Sequence, residues 1–350
     1  MNAPYRLLGG PGSPYSIKLR AILRYRRLPH LWIVPRGFLN TGGELAQANK
    51  KLLPVLQYPD GTYHADTTPI AYELERLHPG ERSIYPQDTA VAFLAHLIED
   101  MADEMLSTAM FDLRWATDLD RSFCATRQLS GWLSPMPQEA FDELVARFVA
   151  RQVANRARLV RAEGCSTILS RLYVEVLDTL ESMLQTRAFL FGSRPSIADF
   201  GLFGQLSQCA IDPSASEVMR SRTPRVFQWT QTVDDASGID GEWADPGELG
   251  EAVHRLLAAI GRWYLPILQA NAVAASEGRD RFELEVDGLT WVGAPDRYKT
   301  KCLGWLRSEL ARMPEAARAS VEPLLARHGC WDALAPGAAP TLSVPPMAPL

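Results

Sequence analysis

The sequence predicts a small α/β domain at the N-terminus, an all-α helical-bundle domain behind it, and a mixed C-terminal extension of helices with one β-hairpin. Three observations predict this. Residues 1–80 alternate short apolar runs with turn signals and one-sided helical spacing. Residues 90–235 carry helical periodicity with scarce strand signals, and residues 250–330 add further helical stretches around one alternating pair of strands.

Within the first domain, Tyr5 to Gly9 reads as a strand that ends in the turn Gly9-Gly10-Pro11-Gly12. Ser13 is a good N-cap, Pro14 suits the first helical position, and Leu19, Ile22 and Leu23 recur on one helical face. His30 to Val34 reads as a second strand and Leu53 to Tyr58 as a third, with Asp60-Gly61 as the hairpin turn into a fourth at Thr62 to His64. Asp66-Thr67-Thr68-Pro69 then opens a helix carrying Ile70, Leu74 and Leu77. The order is strand, helix, strand, strand, strand, helix.

Residues 79–89, with Pro79, Gly80 and Pro86, read as the linker. Helices are expected over 90–115, 137–162, 166–186 and 197–211, and a polar stretch from Asp234 to Gly250 separates them from the extension. There, Val253 to Ala274 reads as a helix, the two sides of Asp287-Gly288 as a hairpin, and 295–312 and 314–328 as closing helices. Residues 336–350 are rich in proline, have little to bury and are expected to be disordered.

A formal net charge of -5 disfavours a reader of the nucleic-acid backbone. The local basic run Arg20, Arg24, Arg26 and Arg27 reads as a solvated helix face. Cys124, Cys165, Cys209, Cys302 and Cys330 are odd in number, widely spaced and form no C-x-x-C pair, so neither a metal site nor a disulfide framework is expected. No apolar run approaches the ~18 residues of a membrane helix. Met1-Asn2-Ala3-Pro4-Tyr5 enters a folded-looking segment at once, so no leader is expected and a reducing cytoplasm is the expected address.

Three segments can carry chemistry, and a fourth reads as structural. Ser13-Pro14-Tyr15-Ser16 lies where a strand hands over to a helix, where N–H groups and the helix dipole favour an anion such as a thiolate. A cap needs the same residues, and the two roles are compatible. Pro54 starts a strand, and Asp66-Thr67 has both the makings of a cap and the groups to hold an ammonium and a carboxylate. Ser196 and Asp199 have capping-box spacing, which makes them fold determinants.

The stretch from Gly12 to Arg20 resembles the active-site segment of the glutathione transferase superfamily in its serine and cysteine classes. The resemblance implies a thioredoxin-like first domain that binds glutathione as cosubstrate, and a helical second domain that shapes the pocket for the other substrate. It makes Ser13 the catalytic residue, whose hydroxyl donates to the glutathione sulfur, with Ser16 one turn on and Tyr15 a second choice. It also implies a cis-proline at Pro54, backbone pairing from Val55, a polar contact to the glycyl carboxylate from Asn49, Lys50 or Lys51, and a γ-glutamyl site at Asp66 and Thr67. The second-substrate pocket is expected at Tyr15 and, from the family position of the long helix, at Met110, Arg114 and Trp115, where Met110 and Trp115 also read as core residues and Arg114 as a surface ion pair. Asp103 falls where some classes reach the ammonium of a partner subunit's glutathione.

The resulting expectation is a cytoplasmic homodimer without metal, nucleic-acid partner or membrane partner, in which glutathione attacks a small apolar electrophile by addition, substitution or isomerisation. The alternative is a non-catalytic binding or interaction module on the same fold, served by the extension. The absence of cysteine at positions 13 and 16 argues against disulfide exchange.

Overall fold

The computed structural model describes residues 3–35, 43–50, 52–80, 82–342 and 344. In the first domain β1 (Tyr5–Leu8) is linked by α1 (Pro14–Tyr25) to a parallel β2 (His30–Ile33). After a short α2 (Gly43–Gln47), β3 (Val55–Gln57) runs antiparallel to β1 on one side and to β4 (Tyr63–Ala65) on the other, and α3 (Thr67–Leu77) closes the unit. The sheet order is β2-β1-β3-β4. Alternation explains the packing: Leu7 and Leu56 point to the cluster with Leu19, Leu23, Ile70 and Leu74, while Leu8 and Val55 point to the other face against Leu45 and Ala48. The one-turn α2 was not expected, because it is too short for its periodicity to be read.

The helical domain opens with a single rod made of α4 (Thr89–Met101), a π turn at Ala102–Leu106 and α5 (Ser107–Arg114). It continues through α6 (Asp118–Trp132), α7 (Gln138–Leu159), α8 (Glu163–Met183), α9 (Ile197–Cys209), α10 (Pro213–Arg222) and α11 (Pro224–Asp234). The sequence reading lacked α6, α10 and α11. An all-helical domain thus follows the mixed α/β one. The central helix α9 is buried on nearly every side, and its start is the capping box read from the sequence: Ser196 Oγ accepts the Asp199 N–H at 3.4 Å, while Asp199 Oδ2 accepts the Ser196 N–H at 2.8 Å. Gly204 on α9 lets α1 approach, since a Cβ there would stand 3.1 Å from the Pro14 carbonyl oxygen.

The extension comprises α12 (Glu251–Ala259), a second π turn at Ile260–Tyr264, α13 (Leu265–Ser276), the hairpin β5 (Phe282–Val286) and β6 (Leu289–Gly293), α14 (Arg297–Arg312), α15 (Glu315–Arg327) and α16 (Trp331–Leu334). Asp287 and Gly288 turn the hairpin with φ of 54° and 71°, the paired positive values of a type I′ turn. One buried core runs from α4, α8 and α9 into α12, α13, the hairpin and α14, so the extension shares its interior with the helical domain.

Two expectations are corrected. The basic run on α1 is not a solvated face: Arg20 and Arg24 pair with Asp234 at the end of α11, and the buried Arg26 pairs with Glu75 of α3. The proline-rich tail is held over 336–342, because the guanidinium of Arg307 donates to the carbonyls of Ala338, Ala339 and Pro340 at 2.7–3.1 Å and Leu342 packs on the core. A planar five-donor fork can satisfy a bent run of carbonyls that no helix or sheet takes up. All five cysteines are buried free thiols. No helix among the described residues is long and apolar enough to cross a membrane.

Candidate active site

The turn before α1 is clamped from the helical domain. Ser13 caps α1 by accepting the Ser16 N–H at 3.3 Å, which leaves its own O–H proton to be given away. The buried Ser16 hydroxyl accepts the Gly10 N–H at 3.2 Å and so fastens the turn to the helix. Arg114 of α5 donates to the Gly12 carbonyl at 2.9 Å, to Asp212 at 2.6 Å and to Gln208 at 3.0 Å, all in burial. Arg127 of α6 donates to the Pro11 carbonyl at 3.2 Å. The turn packs closely on α6, since a Cβ at Gly12 would fall 2.4 Å from Gln128 Cγ and would force that side chain to shift.

Beyond this turn lies a cleft of about 440 Å³ between the two domains. Leu53, Pro54, Ala65, Asp66 and Thr67 of the first domain form one side, the rod residues Asp100, Asp103 and Glu104 form the floor, and Asp296, Tyr298, Cys302 and Trp305 of the extension form the far wall. The Leu53–Pro54 peptide bond is cis, and Asp66 sits at φ 82° with its carboxylate turned away from capping α3. With no side-chain cap, and Pro69 third in the helix, the N–H groups of Thr67 and Thr68 take part in none of the described hydrogen bonds. That end of α3 offers a carboxylate two donors and a favourable dipole.

Asp66 already has company from α14. Tyr298 Oη donates to Asp66 Oδ2 at 2.9 Å and Lys301 Nζ lies 3.4 Å from the same oxygen. The Lys301 ammonium also stands 4.0 Å from the Trp305 ring centre and 4.6 Å from that of Tyr298.

Beneath the cleft, Lys18 of α1 is completely buried and pairs with Glu99 and with Asp103, the latter at 2.6 Å; Thr68 donates to Glu99 at 2.7 Å. Burial would lower the Lys18 pKa, but the two carboxylates raise it above the ordinary lysine value. Burial pushes Asp103 up to about 7 against the pull of Lys18, and pushes Asp100 up to about 6 against His96 and the Tyr264 hydroxyl, which donates to Asp100 at 2.6 Å. Burial, with the charges of Glu104 and Asp103 behind it, keeps the Tyr15 phenol well above its ordinary value, so Tyr15 is a neutral donor. It donates to the Asp103 carbonyl at 2.7 Å, and Lys299 donates to the Glu104 carbonyl at 3.0 Å. Both carbonyls belong to the π turn, so groups from the first domain and from the extension hold its backbone.

The structure brings Tyr15, Pro54, Asp66 and Thr67 to one cleft. It does not bring Ser13, Ser16, Val55, Met110, Arg114 or Trp115 to its walls. Val55 is flanked by Leu8 of β1 and Ala65 of β4, so its backbone lies inside the sheet, whereas Leu53 on the cleft wall lies outside the ladder. Met110 and Trp115 are core residues, Trp115 packing with Leu129 and Phe148, and Arg114 is the clamp on Gly12. Lys51 lies outside the described residues. Sequence reasoning missed Lys18, Glu104, Tyr298, Lys301 and Trp305. A lysine amid the apolar spacing of α1 was the one available signal for the first.

Residues 7–82 match the glutathione S-transferase N-terminal domain family and residues 166–232 match the glutathione S-transferase C-terminal domain family. Together with the strand order and the helical domain, the matches show a glutathione-transferase fold: a thioredoxin-like first domain followed by a helical one. No curated protein matches the chain. Among solved structures, β-etherase LigF from Sphingobium sp. strain SYK-6 is 21% identical, with 73% of this chain and 98% of that one covered and a TM-score of 0.48. A glutathione S-transferase from Methylobacterium radiotolerans, in complex with glutathione sulfonate, is 20% identical over 71% and 100% of the two chains at a TM-score of 0.41. A rice glutathione S-transferase in complex with glutathione is 18% identical over 69% and 92% at 0.42.

Proposed function

We propose that the protein is a glutathione-dependent transferase or isomerase. The observation that carries this reading is the grouping of the Leu53–Pro54 segment, the Asp66 carboxylate and the open N-terminus of α3 on one cleft wall. Glutathione offers a matching set: an ammonium for Asp66, a γ-glutamyl carboxylate for the Thr67 and Thr68 N–H groups, and a cysteinyl backbone for that of Leu53, which lies outside the ladder. Ser13, which caps α1 and does not itself line the cleft, is the donor this reading assigns to the sulfur, on the resemblance of residues 12–20 to the family's active-site segment. Its hydrogen bond favours thiolate over thiol, so the thiol proton is lost to solvent at a lower pH and the sulfur attacks an electrophilic carbon held beside it, which expels its leaving group in a substitution or passes an electron pair to the adjacent atom, protonated from solvent, in an addition. The electrophile meets the rings of Tyr15, Tyr298 and Trp305 and also the carboxyl groups of Asp100, Asp103 and Glu104, so the wall is less apolar than expected from sequence. A cytoplasmic homodimer without metal remains part of this reading.

The test is the Ser13→Ala variant with reduced glutathione and a chromogenic aryl halide. The expected result is turnover lowered by about 100-fold, the scale of losing one donor to a developing anion, with glutathione affinity unchanged. Equal turnover removes Ser13 from the mechanism. One observation favours the second reading, a non-catalytic module: Tyr298 and Lys301 of the extension already engage Asp66. That reading predicts no glutathione binding at all.

A further inference from the structure

The cleft is lined by five carboxyl groups, those of Asp66, Asp100, Asp103, Glu104 and Asp296, together with the rings of Tyr15, Tyr298 and Trp305. Two of its features point to a ligand. Asp103 is 6% exposed, faces Lys18 with Oδ2, and leaves Oδ1 buried without a hydrogen-bond partner among the described residues. And an ammonium already stands beside the cleft: Lys301 Nζ lies 3.4 Å from Asp66 Oδ2, 4.0 Å from the Trp305 ring centre and 4.6 Å from that of Tyr298, three residues that line it. Aromatic faces joined to a carboxylate make a cage for a cation, whose attraction to the rings grows as water is excluded.

We propose that this cleft is the site of a small organic cation, an alkylammonium without a compensating carboxylate, which enters between Tyr298 and Trp305 and displaces Lys301 from Asp66. A volume of about 440 Å³ suits such a ligand. The carboxyl floor gains from a net positive guest, which has no carboxylate of its own to set against Asp100, Asp103 and Glu104. Lys301 can leave, since its side chain is 31% exposed on the first turns of α14 and solvent is open to its flexible stem. Burial raises the carboxyl groups of Asp100 and Asp103, to about 6 and about 7, and a cation beside them favours their charged forms. The inference goes beyond the glutathione reading and does not require it.

The test is calorimetry on the full chain at pH 8 with n-hexylammonium, n-hexanol and n-hexanoate, ligands of one shape and three charges. The expected order is ammonium tighter than alcohol by about tenfold or more, with hexanoate not bound. Lys301→Met should tighten the ammonium several-fold by emptying the cage. Asp66→Asn, which keeps a residue tolerant of φ 82°, should weaken it by about tenfold. Equal binding of ammonium and alcohol overturns the inference. So does an affinity that either variant leaves unchanged, or a gain from Lys299→Met as large as that from Lys301→Met. Reduced glutathione titrated in parallel separates the two ideas: glutathione binding without amine binding defeats only this one, and amine binding alone defeats only the other.

Discussion

Lys18 Nζ and Asp103 Oδ2 meet at 2.6 Å in the sealed boundary between the two domains, with Glu99 on the other side of the same ammonium. Lys18 belongs to α1, which carries Ser13 and Tyr15, and Asp103 belongs to the π turn that floors the cleft. The ion pairs therefore fix the turn before α1 against the pocket floor.

Lys18→Met is expected to strand two buried carboxylates. Breaking a buried ion pair from one side costs about 3–5 kcal/mol, well above the worth of a surface pair. Urea unfolding of the variant beside the parent checks this, and a loss below about 1 kcal/mol shows the carboxyl groups to be neutral or hydrated instead.

Arg114→Lys keeps the charge and loses the fork. A point ammonium cannot serve Asp212, Gln208 and the Gly12 carbonyl together, so a loss of about 2 kcal/mol is expected. Amide exchange at Gly12 and Ser13 should quicken in the same variant. Altered electrophile preference with unchanged stability is the result that returns Arg114 to the substrate pocket.

Asp199→Ala removes the acceptor for the Ser196 N–H at 2.8 Å and the Leu190 N–H at 3.0 Å, both buried. Orphaning two buried donors at the start of the central helix costs about 3 kcal/mol. The yield of soluble protein and the melting temperature should both fall, and an unchanged melting temperature speaks against the capping box as a fold determinant.

His96 on α4 pairs with Glu309 on α14. Burial alone lowers its pKa, but the Glu309 carboxylate, with the charges of Glu99 and Asp100 behind it, raises it to about 9. Because the folded value lies above the unfolded one of about 6.5, the pair's contribution is complete below pH 6.5 and is lost as pH rises toward 9. The parent should lose up to about 3 kcal/mol across that window relative to His96→Gln, which lacks the titration. Parallel stability curves for the two proteins rule out a charged His96.

The first domain was legible because its signals are local: Asp60-Gly61 turns a hairpin, and Ser13-Pro14 opens a helix whatever surrounds it. The capping box at Ser196 was legible for the same reason. The helices α10 and α11 carry proline at their first positions, Pro213 and Pro224, a start signal that went unused. The site was half legible. Asp66, Thr67 and Pro54 lie close in sequence to the elements that present them, whereas Lys301 and Tyr298 reach Asp66 from more than two hundred residues away. No spacing encodes that approach. Arg114 and Trp115 sit on the expected helix but are buried, Arg114 against Asp212, Gln208 and the Gly12 carbonyl and Trp115 against Leu129 and Phe148, partners that no local spacing announces.

The most direct measurement is calorimetric titration of the full chain with reduced glutathione, beside Asp66→Asn. Saturable binding at or below millimolar glutathione, weakened by about tenfold in the variant, is the result expected if Asp66 holds the γ-glutamyl ammonium. No saturable heat at millimolar glutathione contradicts the account, and it would leave the fold serving a ligand of another kind.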